Sequence, residues 1–230
     1  MDGFAERYQL LQAEIAQQLA ACGRGNESIR VLAVSKTFPA AAIEEAYACG
    51  VRMFGENKIQ ELALKAEALP KDIEWHFIGH LQSNKAAKAV QYASWIHSVD
   101  SIKLLNKLDR CAGEQGKRPR ILLEVNSGEE AKSGVDYSEL SALAEAALKA
   151  ENLEFCGLMT MAPLCDDPAV WQQAFLKLKA ARDGLEKDFS CRLSELSMGM
   201  TGDMVQAIAA GSTIVRIGSR LFGNRSYPQA

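Results

Sequence analysis

The chain has 230 residues, 48% hydrophobic and 24% charged, with a net charge of −3. That is enough apolar material for a large core, and the mild acidity excludes a nucleic-acid binder built on a basic face. No apolar run approaches the ~20 residues of a membrane span, Met1-Asp2-Gly3-Phe4 does not open a signal peptide, and six scattered cysteines without a C-x-x-C pair point to a reduced, cytoplasmic protein.

Phe4, Tyr8, Leu11, Ile15, Leu19 and Cys22 recur at spacings of three and four, which predicts one amphipathic helix over about residues 4–22. It could cap one end of a larger fold or pair with another subunit. No large unexplained apolar surface stands out, so a monomer is expected. Arg30 to Lys36 then reads as an apolar, β-branched strand, closed by Pro39 and followed by a helix near 39–49 with Gly50 past its end. Val51 to Phe54 is a short strand ending in Gly55-Glu56-Asn57, and the helix after it turns Ile59, Leu62, Ala63, Ala66 and Leu69 inward.

Further along, Glu74 to Ile78 is a third strand, with Ser83 or Asn84 as cap of the next helix. His76 and His80 lie across that strand-to-loop passage, so their spacing does not suit a metal. Trp95 to Val99 follows, with Asp100-Ser101 as cap, and Arg120 to Asn126 is the clearest strand of all. Asp136 caps a helix, and Leu153 to Met159 makes the sixth strand, with Cys156 as a small buried hydrophobe. Asp167-Pro168 opens another helix, Leu193 to Met198 is the seventh strand, and Thr213 to Ile217 is the eighth.

Eight strand–helix alternations without a linker predict α/β architecture with a parallel sheet. The count favours a (β/α)8 TIM barrel carrying an extra N-terminal helix. The rival open sheet lacks its G-x-G-x-x-G fingerprint. A single domain over 1–230 is expected, with the barrel over about 30–227.

In such a barrel the chemistry gathers at the carboxyl ends of the strands, and closure brings the first strand beside the last. Lys36 then neighbours Val215-Arg216-Ile217-Gly218-Ser219. A lysine there can lose its proton by desolvation and attack a carbonyl, although a solvated strand-end lysine is the commoner case. The loops Ser197-Met198-Gly199-Met200-Thr201-Gly202-Asp203 and Gly218-Ser219-Arg220-Leu221-Phe222-Gly223 combine glycine with hydroxyl donors at helix starts, as a phosphate cradle requires. Thr201 could equally be a plain helix cap, and Arg216 could pair with Glu124. Asn57 reads as a second contact for the ligand or as a cap. His80, Asn126 and Met159 also sit at strand ends, and Lys132 could pass a bound group onward or be a solvated loop residue.

The segments Ala33-Val34-Ser35-Lys36, Phe54-Gly55-Glu56-Asn57, His76-Phe77-Ile78-Gly79-His80-Leu81-Gln82, Ser197-Met198-Gly199-Met200 and Val215-Arg216-Ile217-Gly218-Ser219 resemble the pyridoxal 5′-phosphate homeostasis proteins (the YggS/PROSC-type family). Those proteins are similar in turn to the barrel domain of alanine racemase, and the resemblance runs from about residue 6 to 227. It implies that Lys36 carries pyridoxal phosphate as an internal aldimine. It further implies that Thr201, Gly218 and Ser219 hold the phosphate, that Ser197 and Met200 line that loop, and that Arg216 faces the pyridine nitrogen. Family members often have serine where this chain has Thr201, and the hydroxyl is retained.

Arginine can only donate, so a ring nitrogen beside Arg216 is expected to stay unprotonated, a weak electron sink. Racemases of similar fold add a β-rich domain with a second base, for which a chain ending at Ala230 is expected to leave no room. These readings favour a non-catalytic carrier or buffer in vitamin B6 homeostasis, with apo enzymes that use pyridoxal phosphate as acceptors. A weak amino-acid racemase is the alternative, and a barrel binding an unrelated phosphate is the third possibility.

Overall fold

The computed structural model describes residues 3–128 and 133–223. Eight parallel strands close into one barrel in sequence order: β1 (Arg30–Val34), β2 (Met53–Glu56), β3 (Glu74–Phe77), β4 (Trp95–Val99), β5 (Arg120–Glu124), β6 (Glu154–Met159), β7 (Glu195–Ser197) and β8 (Ile214–Ile217). Closure is made by β1 on β8, in register from Arg30 opposite Ile214 to Ala33 opposite Ile217. The TIM barrel with a preceding helix, expected from the alternation, is therefore the observed fold.

The helices are α1 (Phe4–Ala21), α2 (Ala40–Ala48), α3 (Ile59–Ala68), α4 (Ala86–Tyr92), α5 (Ile102–Gln115), α6 (Tyr137–Leu148), α7 (Pro168–Phe189), α8 (Met204–Ala209) and α9 (Ser219–Phe222). Their inward stripes cover the outside of the barrel. Phe54, Phe77, Ile96, Leu123, Leu158 and Val215 are packed between sheet and helices in one continuous core. The alternate strand positions face the lumen. There a small separate cluster of Trp95, Leu122, Cys156 and Met159 shares space with polar side chains.

Several boundaries differ from the pattern reading. β2 begins at Met53 and runs through Glu56, because pairing to β3 sets Gly55 opposite His76. Pro39 is the N-cap of α2 rather than its first residue, with extended backbone. Ser83–Lys85 forms a short 3-10 turn before α4 without a side-chain cap, and Asp136 likewise makes none at α6. Ser101 and Asp167 do cap, accepting from Leu104 N at 3.4 Å and Ala169 N at 2.9 Å.

α1 neither plugs the barrel end nor stands free. It lies along the outside, against α2, α8 and α9. At one end Phe4 touches the Phe222 ring, with centroids 5.3 Å apart, and Arg7 Nε donates to the Leu221 carbonyl at 2.7 Å. Beyond its other end Arg24 Nη2 donates to the Ser212 carbonyl at 3.0 Å. Glu14 pairs with Arg220, so α1 fastens α9 from outside the barrel. No helix among the described residues is long and apolar enough to cross a membrane.

Candidate functional site

At the carboxyl ends of the strands lies a cavity of about 430 Å³. Lys36, Asn57, Met200, Thr201, Arg216, Gly218 and Ser219 all line it, drawn together from four separate stretches of chain. Ser197 does not. It is fully buried beneath the cavity floor, where its hydroxyl accepts from Arg216 Nη1 at 2.9 Å. His80 and Met159 also line the cavity, whereas Asn126 turns into its own loop and accepts from Gly128 N at 2.9 Å. Lys132 lies outside the described residues.

Lys36 follows the end of β1 rather than belonging to it. Its neighbour Thr37 is left-handed, with φ 70°, a conformation that non-glycine residues adopt only when held. The hold is visible. Lys65, on α3, donates from Nζ to the Ser35 carbonyl at 2.9 Å and to the carboxylates of Glu56 and Glu61 at 2.7 Å each. Glu56 also accepts from Ser35 Oγ at 2.6 Å, and Glu61 accepts from Thr37 N at 2.8 Å. The backbone on both sides of Lys36 is thus fixed by one ionic cluster. Burial pushes the Glu56 carboxyl above its ordinary range, against the pull of Lys65.

This clamp escaped the pattern reading, yet it left a trace. Lys65 falls within the apolar stripe of Leu62, Ala66 and Leu69, and it stands four residues after Glu61.

Opposite Lys36, Arg216 enters the cavity from β8 with its side chain nearly buried. Nη1 donates to the Ser197 carbonyl at 2.7 Å as well as to its hydroxyl, and Nη2 donates to the Thr160 carbonyl at 2.8 Å. Burial pulls its pKa down to about 10, with Asp203 and Glu124 acting the other way. It remains a cation at neutral pH. The expected alternative, a pair with Glu124, is not formed. Glu124 accepts instead from Ser133 Oγ at 2.8 Å, and burial raises its carboxyl above the usual range.

The phosphate-type loops are set by backbone bonds. Arg216 N donates to the Gly199 carbonyl at 2.9 Å, and Met200 N to Asp203 Oδ1 at 2.5 Å, which folds the β7 loop against β8. Gly79 lets the β3 loop pass over Asn57; a Cβ there would be driven into the Asn57 carbonyl. Asn57 Oδ1 is buried and has no hydrogen-bond partner among the described residues. A second cavity, of about 490 Å³, lies at the opposite end of the barrel between α1 and the starts of β1 and β2, and it contains no lysine.

The sequence matches the alanine racemase N-terminal domain family over residues 11–226. The pyridoxal phosphate homeostasis protein of Aquifex aeolicus is 40% identical over 224 residues, which cover 96% of this chain and 98% of the relative. The protein of the same name from Synechocystis is 47% identical over 201 residues, 86% of this chain and 92% of the relative. Among solved structures, PipY from Synechococcus elongatus with pyridoxal phosphate bound is similar at 43% identity and a TM-score of 0.80, covering 91% of this chain and 100% of PipY.

Proposed function

The chain belongs to the pyridoxal phosphate homeostasis protein family, and from that premise we propose that it binds pyridoxal phosphate in the Lys36 cavity and carries it without catalysis. The residues present fit that group. Asn57 supplies a buried polar atom without a partner among the described residues. Lys36 supplies a primary amine. The hydroxyls of Thr201 and Ser219, with the backbone N–H groups of Ser219 and Arg220 at the start of α9, would supply phosphate donors.

When bound, pyridoxal phosphate supplies an aldehyde that condenses with a primary amine and a ring that withdraws electrons. The chain's own part is to hold and orient. The Lys65 cluster fixes the backbone that carries the Lys36 amine, and Gly218 and Ser219 begin the helix that would receive the phosphate. Arg216 would offer its donors to the ring nitrogen and cannot accept a proton from it. The ring would then keep its weaker, unprotonated form, which suits storage and delivery better than turnover. The observation that carries this reading is the convergence of Lys36 and Arg216 in one cavity through β1–β8 closure.

The test is the absorption spectrum of purified protein after incubation with pyridoxal phosphate, followed by borohydride reduction and peptide mass mapping. A yellow band fixed by reduction onto Lys36, with no turnover of any amino acid, is expected. A colourless and unmodified protein defeats the proposal. Amino-acid turnover that is lost in Lys36→Ala but kept in Thr201→Ala would assign the chain to weak racemase-type chemistry instead. Enzymes that use pyridoxal phosphate and lack it are the acceptors that such a carrier would serve.

A further inference from the structure

The barrel lumen holds a run of polar side chains in which each member touches the next. Arg216 Nη1 donates to Ser197 Oγ at 2.9 Å, and that oxygen lies 3.0 Å from His97 Nδ1. His97 Nε2 lies 2.9 Å from His76 Nδ1, and His76 Nε2 lies 2.9 Å from Glu74 Oε1. The run begins at the cavity and ends at the opposite end of the barrel. Ser197, His97 and His76 are fully buried, whereas the Glu74 side chain is 32% exposed.

Donor accounting allows this run a single direction. A guanidinium only donates, so Ser197 Oγ accepts from it and has its own hydrogen to give. That hydrogen goes to His97 Nδ1. A ring nitrogen that accepts carries no proton, so neutral His97 bears its hydrogen on Nε2 and donates it to His76 Nδ1. The same step places the hydrogen of His76 on Nε2, where the Glu74 carboxylate accepts it. Every link is satisfied with both rings neutral, and burial holds both imidazoles below their ordinary pKa.

The surrounding charges support neutral rings. Arg120 lies 4.0 Å from Glu74 and 3.3 Å from Glu154, and Arg30 pairs with Glu195 at 2.5 Å. Arg30 and Arg120 stand over the Trp95 ring, at 5.0 and 5.2 Å respectively, and His76 stacks on that ring. Asp203 and Glu124 act on Arg216 at the cavity end.

The same accounting applied to Arg216 shows what the run accomplishes. Of the five guanidinium hydrogens, both on Nη1 go to Ser197 and one on Nη2 goes to Thr160. One Nη2 hydrogen and the Nε hydrogen have no acceptor among the described residues, on a side chain that lines the cavity. We propose that Ser197, His97 and His76 are positioning residues for Arg216, a one-way hydrogen-bond relay that fixes which of its donors face the cavity and links them to Glu74 at the far end of the barrel. The relay rests on the functional reading above only for the identity of the ligand.

The test begins without ligand. In full-length protein at neutral pH, 15N NMR of the side chains should show His76 and His97 as neutral Nε2–H tautomers. An Nδ1–H tautomer or an imidazolium at His97 overturns the proposal. Glu74 then gives a perturbation at the exposed end that leaves the core intact. Glu74→Ala removes the terminal acceptor, whereas Glu74→Gln keeps a carbonyl oxygen there. The alanine variant should populate Nδ1–H tautomers in both rings, weaken pyridoxal phosphate binding about 3–10-fold and shift the pH midpoint of the bound absorbance. Glutamine should restore all three. Alanine and glutamine variants that both match the parent in tautomer, affinity and pH midpoint overturn the relay. A protein that never takes up pyridoxal phosphate defeats the functional reading instead, and the tautomers still decide the relay.

Discussion

Lys65 Nζ lies 2.9 Å from the carbonyl oxygen of Ser35, the residue immediately before Lys36. One lysine therefore holds in place the backbone that presents the other. The holding lysine is buried among two carboxylates, and the presented one faces the cavity.

Replacing Lys65 by methionine should expose the cost of that arrangement. Glu56 would remain buried with its cation gone, and breaking such a pair costs about 3–5 kcal/mol. Because burial already raises the Glu56 carboxyl, protonation can relieve part of the loss. Urea unfolding at neutral pH should show a deficit of about 2–4 kcal/mol that shrinks as the solution is acidified. The double variant Lys65→Met, Glu56→Gln should recover part of it. An unchanged unfolding midpoint in the single variant contradicts the clamp.

Gly79→Ala should disturb the cavity by crowding alone. The added methyl meets the Asn57 backbone, which cannot yield without moving the residue that lines the site. Overpacking of this kind costs about 1–3 kcal/mol. Thermal unfolding should register that loss, and pyridoxal phosphate affinity should fall with it. A variant as stable as the parent, with unaltered affinity, would refute the close approach.

Asn57→Ala separates ligand binding from stability. Its Oδ1 is a buried acceptor without a partner among the described residues, so losing it should leave the ligand-free protein at least as stable. Binding should weaken by about 1 kcal/mol or more, because the ligand loses a polar contact. Denaturation of the free protein and titration with pyridoxal phosphate should thus move in opposite directions or diverge. A parallel loss in both would make Asn57 a structural cap.

Glu124 predicts a pH dependence with a definite sign. Its folded pKa is raised by burial, so folding favours the protonated form. The stability it contributes is complete below the unfolded carboxyl value of about 4.3 and is lost as pH rises through the folded value. Glu124→Gln should be more stable than the parent at neutral pH and equal to it near pH ~4. Unfolding free energies across that range check the crossover, and a constant difference at every pH rules it out.

The barrel was legible because strand and helix periodicities alternate eight times and each carries its own apolar pattern. That Lys36, Thr201, Arg216 and Ser219 share one cavity was legible once closure was assumed, since barrel topology fixes which loops share an end. Ser197, expected to line the β7 loop, is buried against Arg216 and does not reach the cavity surface. Strand residues alternate between faces and depths, and a motif that crosses a strand end does not tell which hydroxyl reaches the cavity. The lumen chain was hidden for a different reason. Glu74, His76, His97, Ser197 and Arg216 come from four strands, and no local spacing relates them. The Lys65 clamp lay between these cases, visible as a charge in an apolar stripe but without a stated partner.

Closure of β1 on β8 also sets a clock. Lys36 is made early, and the residues that complete its surroundings arrive near the end of the chain. At about 5–20 residues per second, synthesis leaves on the order of 10–40 s between them. Throughout that interval the lysine has no Arg216 opposite it and no α9 beside it. The complete binding cavity is therefore a late product of the chain's assembly. Capture of the ligand reports a finished barrel, and a chain stalled before β8 should not retain it.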